Sequence, residues 1–118
     1  MRDFKTLLVW QKAHAITLIT YKLTANFPKE ELYGLTSQMR RSAASIGSNI
    51  AEGCGRGGDA ELARFLQIAM GSASELESQT LLAHELGFIE STIYRQFEKD
   101  ISEIKRMLTG FIQKLRTN

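Results

Sequence analysis

The 118-residue sequence has one proline, one cysteine, two histidines and no long apolar run. Each scarcity excludes something. A lone Pro28 leaves long stretches free of the residue that most disrupts helices. A lone Cys54 cannot close an internal disulfide, so nothing points to an oxidising compartment. The strongest apolar run near the start, Leu7 to Trp10, falls far short of the roughly 20 residues a membrane span needs. Met1-Arg2-Asp3-Phe4-Lys5 leads into no signal-type apolar core, so the expectation is a cytoplasmic protein without membrane contact. Fifteen basic residues against thirteen acidic give a net charge of +2, too little alone to establish a polyanion partner.

What is present is helical periodicity. Val9, Ala13, Ile16, Thr20, Leu23 and Phe27 recur in steps of four and three, predicting a helix from about Thr6 to Phe27, before Pro28. Leu32, Leu35, Met39, Ala43, Ile46 and Ile50 mark a second, from about Glu31 to Gly53, whose middle is crowded with small residues. The glycine-rich stretch Gly53 to Gly58 breaks it, and Asp59 is placed to cap the third. Leu62, Leu66, Ala69, Ala73, Leu76, Thr80 and Ala83 form the stripe of that third helix, which runs to Gly87. Ile93, Phe97, Ile101, Ile104, Leu108, Phe111 and Leu115 form the fourth, from Ser91 to Arg116. Short connections force neighbours antiparallel, so the expected fold is all-α: an up-down-up-down four-helix bundle in a single domain over residues 1–118.

Little catalytic chemistry is legible. Gly53, Gly55 and Gly58 satisfy G-x-G-x-x-G, but a helix precedes them where a dinucleotide site needs a strand. The same loop offers N–H groups to a phosphate at the start of the third helix, with Arg56 helping and Asp59 opposing. Neither His14 nor His84 has a Glu three residues before it, and the bundle separates them by roughly 25 Å, so no shared metal is expected. No histidine is placed in sequence to activate Cys54. No catalytic residue, metal or cofactor is expected.

Charge is uneven along the chain. The first helix carries Lys5, Lys12 and Lys22 without an acid, whereas the third holds only Arg64 against five acids. This segregation reads either as favourable helix-to-helix electrostatics or as faces suited to self-association and phosphate collection. Counting along the hairpin of the second and third helices places Arg41 within a turn of Glu75. Because a charge buried alone is costly, the expectation is an interhelical Arg41–Glu75 ion pair.

The second helix is more specific than a generic bundle. Phe27-Pro28, Glu31-Leu32-Tyr33-Gly34-Leu35-Thr36-Ser37-Gln38, Arg40-Arg41-Ser42-Ala43-Ala44-Ser45-Ile46 and Asn49-Ile50-Ala51-Glu52-Gly53 form one linked pattern. With Trp10-Gln11-Lys12-Ala13 upstream and Ala69-Met70-Gly71-Ser72 through Glu77 downstream, it resembles the bacterial four-helix bundle family encoded within intervening sequences of 23S ribosomal RNA genes. The resemblance runs from Phe4 to about Ile89; the last helix fits by periodicity alone. It implies a non-enzymatic, cytoplasmic protein assembled as a homopentameric ring. That family is similar in fold to the nucleic-acid-binding accessory protein of diversity-generating retroelements.

Two functions are carried forward. One is a self-associating scaffold that binds RNA or DNA through repeated basic patches, with Lys5, Lys12, Arg40, Arg56, Lys105, Arg106, Lys114 and Arg116 as candidate phosphate contacts. The other is a protein-interaction adaptor that touches no nucleic acid.

Overall fold

The computed structural model describes residues 2–117. Four helices account for most of them: α1 (Leu8–Thr24), α2 (Ser37–Gly55), α3 (Asp59–Glu85) and α4 (Ser91–Arg116). Among the described residues there is no strand. Successive helices run antiparallel in a rod of 46 × 23 × 20 Å, as the stripes require. Around the bundle, α2 and α3 share the most extensive pairing, while α1 and α4 touch least.

The core is made of the expected stripes. Met39, Ala43, Ile46 and Ile50 of α2 meet Leu66, Ala69, Ala73 and Leu76 of α3, all fully buried. Phe97, Ile101, Ile104 and Leu108 close it from α4, and Ala13 and Ile16 from α1. Thr20 and Thr80 stand in these stripes because each hydroxyl donates to a carbonyl one turn back, Ile16 O at 2.7 Å and Leu76 O at 2.6 Å. Small residues set the spacing. A Cβ on Gly53 would lie 2.9 Å from both Leu62 Cδ1 and Phe65 Cβ, so α2 and α3 approach where only glycine fits. About two helical turns towards the middle, Ser72 donates to Ser45 at 2.9 Å across the same seam.

Several expectations needed correction. α1 stops at Thr24 rather than Phe27; Phe27 leaves the helix to plug one end of the bundle against Phe88, ring centroids 5.5 Å apart. The stretch expected to start α2 is a 3-10 turn over Lys29–Glu31, then a π-wound Leu32–Thr36 in which Glu31 accepts the Leu35 N–H. Leu32 and Ile93, assigned to the core by periodicity, are 49% and 45% exposed because each lies where its helix is only beginning. Gly58, with φ of +102°, rather than Asp59 caps α3; Asp59 is its first residue.

The Arg41–Glu75 pair is not formed. The Ser45–Ser72 bond sets Arg41 opposite residue 76, so the heights do agree, but both side chains are exposed and neither joins an ion pair among the described residues. The burial penalty behind the expectation therefore never arises.

Replacing Gly53 by Ala should lower stability by about 1–3 kcal/mol, since the tightest helix approach has to open. Gly110→Ala, at an exposed position of α4 with free space around it, should raise stability by about 0.5–1 kcal/mol. Urea denaturation of both variants checks the pair. A Gly53→Ala protein as stable as the parent would show that the approach is not tight.

Candidate nucleic-acid interface

The weak pairing of α1 with α4 leaves a groove at one end of the rod. α1 begins only at Leu8, because residues before it fold into a 3-10 turn, Phe4–Thr6, and cross towards the end of α2. There Arg2 donates its backbone N–H to Cys54 O at 3.2 Å. The last turns of α4 are left uncovered. The resulting groove, 490 Å³, has an apolar floor of Leu7, Leu8, Met107 and Phe111 and a rim of Arg2, Arg106 and Lys114. No acid lines it. The Arg2 guanidinium lies 5.6 Å from the Phe111 centroid and 3.8 Å from an Asp59 oxygen.

This groove belongs to a basic end. The half of the bundle around the glycine-rich loop, residues 2–15, 46–72 and 104–117, holds nine cations against four acids. The other half, 16–45 and 73–103, holds six cations against nine acids. Most of the exposed large apolar side chains lie the other way, Leu8 and Ile68 being in the basic half. Leu18, Tyr21, Leu32, Tyr33, Leu82, Leu86 and Ile93 all lie in the acidic half, Tyr33 at 92% exposure.

The eight candidate cations divide by what already holds them. Lys12 lies 3.0 Å from Glu103 and Lys105 2.8 Å from Glu77, tying α4 to α1 and to α3. Arg56 pairs with Glu52 at 3.1 Å and lies over the Phe65 ring. Arg40 is in the other half of the molecule and is committed to structure. It donates to Thr24 Oγ1 at 2.8 Å and Tyr21 O at 3.3 Å, with its guanidinium 4.7 Å from the Tyr21 centroid, so it caps the carbonyl end of α1. Lys5, Arg106, Lys114 and Arg116 are exposed and join no ion pair among the described residues. Arg2 lies beside this group but is paired with Asp59 at 3.8 Å; it was missed because nothing in the sequence shows that the N-terminal segment folds back beside α4.

The other reactive groups have quiet surroundings. Cys54 is buried, and burial pushes its thiol pKa up despite the opposing charge of Arg2, the reverse of what a nucleophile needs. His14 stacks on Trp10 at 4.8 Å, and His84 stacks on Tyr94 at 4.2 Å with Nδ1 3.1 Å from Ile89 O. Tyr94 is pushed up to about 12, chiefly by its hydrogen bond to Glu98, with burial and nearby carboxylates adding. No cluster of three or more His, Cys, Asp or Glu able to hold a metal occurs among the described residues. No helix among them is long and apolar enough to cross a membrane.

Arg40→Ala should cost about 1–2 kcal/mol of stability through the lost helix-end bonds. If Arg40 instead served as a phosphate contact, the variant would keep its melting temperature and lose salt-dependent RNA affinity; calorimetry beside a binding titration separates the two.

Comparison with known proteins agrees with this architecture. Residues 5–110 match the family model described as 23S rRNA-intervening sequence protein. The crystal structure of a protein of unknown function from the S23 ribosomal protein family of Bacteroides thetaiotaomicron VPI-5482 superposes with a TM-score of 0.80. Its sequence is 27% identical, and the match covers 89% of this chain and 98% of that one. No curated protein matches the sequence.

Proposed function

The chain belongs to the 23S rRNA-intervening sequence protein family, and from that premise we propose that it is a non-enzymatic, self-associating scaffold that binds RNA through its basic end. The observation that carries this is the group of unpaired cations, Lys5, Arg106, Lys114 and Arg116 with Arg2 beside them, on an end whose excess positive charge is five. Phosphates need cations that are solvent-accessible and uncommitted, and the first four are both. No stripe of exposed aromatics accompanies them, so the contact is to backbone and shape rather than to bases. Self-association supplies what one modest patch lacks, since repeated weak contacts on one RNA add as avidity. The apolar side chains left exposed on the acidic half support that association. One feature favours the adaptor reading instead: the groove floor, with Leu8 57% exposed, suits an acidic amphipathic segment as well as a phosphate backbone.

A structured RNA hairpin titrated between about 50 and 200 mM salt separates these readings. Affinity should fall steeply with salt, and the Arg106→Gln/Lys114→Gln/Arg116→Gln variant should reduce the log–log slope by about 2–3. Binding that ignores salt, or no binding at all, would leave the adaptor reading standing.

A further inference from the structure

Both central helices carry a solvent-facing line of residues beside their buried seam. On α3 the buried seam runs Leu62, Leu66, Ala69, Ala73, Leu76, Thr80, Ala83. A second runs along its outer side: Ile68, Gly71, Glu75, Ser78, Leu82, Glu85, in steps of three and four, and every member is exposed. On α2 the buried seam is Met39, Ala43, Ile46, Ile50, Gly53. Its outer counterpart is Arg41, Ser45, Ser48, Glu52, Gly55, again in steps of four and three, with only Ser45 half-buried. Such spacing keeps residues on one line of a helix, and these outer lines, small or charged apart from Ile68 and Leu82, leave the α2/α3 face uncovered.

The geometry points to a second copy of this chain as the outer neighbour, seated on the α2/α3 face with Arg41 of one copy against Glu75 of the next. This rests on the self-association reading above and specifies its surface. The occupant is argued from charge. The middle of the outer α3 seam presents Glu75 between the exposed apolar residues Ile68 (42%) and Leu82 (50%), so its neighbour must bring a cation at that height. Arg41 is such a cation, exposed and in no ion pair among the described residues. The register fixed by Ser45 and Ser72 puts it within one residue of the height of Glu75, about 1.5 Å along the axis. Any rotation axis parallel to the helices preserves heights. It therefore keeps Arg41 of each copy level with Glu75 of its neighbour, so that copies meeting on this face can pair the two. Glycine and serine along both lines allow backbones to come close enough for two such short seams to mesh. The face also lies opposite the α1/α4 groove, so assembly leaves the unpaired cations outward.

Sedimentation velocity on the full chain tests this, with far-UV circular dichroism confirming that each variant is folded. Arg41→Glu alone and Glu75→Arg alone should each weaken association about tenfold or more by setting like charges face to face. The Arg41→Glu/Glu75→Arg double variant should restore it, because the swapped pair is again complementary. If the parent assembles and the single variants assemble equally well, or the double variant stays as weak as the singles, the copies meet elsewhere and this surface is wrong while self-association stands. A parent that remains monomeric at high concentration would end both, and would leave the face to a foreign partner.

Discussion

The close approach of α2 and α3 governs everything else in the molecule. Gly53 sits where a single methyl group would strike Leu62 and Phe65, and Ser45 and Ser72 are near enough to bond across the seam. Once these two helices lie together, their inner stripes define a common apolar surface against which α1 and α4 pack from either side. Thr17 of α1 donates to Ala43 O of α2, and Lys105 of α4 reaches Glu77 of α3. The two outer helices meet less than any other neighbouring pair, joined by the Lys12–Glu103 ion pair. The groove between them is a consequence of the tightness elsewhere, and its basic rim follows from the charges at the two chain ends that converge there.

Ion pairing then sorts the cations. Exposed pairs such as Arg56 with Glu52 contribute at most about 1 kcal/mol each, so they matter little as stabilisers. Their effect is on availability. A lysine already 3 Å from a carboxylate must give up that partner to meet a phosphate, while Arg106, Lys114 and Arg116 give up only water. Eight basic residues that look equivalent in the sequence are thereby divided into a structural group and a free one. Arg40 is the clearest of the structural group, since its three contacts all serve the end of α1.

The helical stripes were legible because period is a local property. The buried line of α3 is the one counted from the sequence, without an error. Periodicity failed where the backbone departs from a regular helix: Leu32 keeps the spacing but is the first residue of a π-wound turn and faces solvent. It failed differently at Arg41 and Glu75. Their heights follow from hairpin counting, but which way each side chain points depends on how far each helix is rotated about its own axis. That rotation is set by the total packing of four stripes rather than by any pair of residues. The candidate site was partly legible for a related reason. The basic residues can be counted, but the fold-back that brings Arg2 to Phe111 and opens the groove is a tertiary event with no local signature.

In the proposed assembly, charge segregation along the rod would give association and RNA binding a shared physical basis. Copies related by an axis parallel to the helices bring their basic ends to one side, and each added copy raises the density of positive charge there. At physiological salt, where screening acts over about 8 Å, neighbouring ends still repel one another. A polyanion lying across them removes that repulsion and replaces it with attraction. RNA bound in this way would favour assembly, and by the reciprocity of linked equilibria assembly would tighten RNA binding by the same factor.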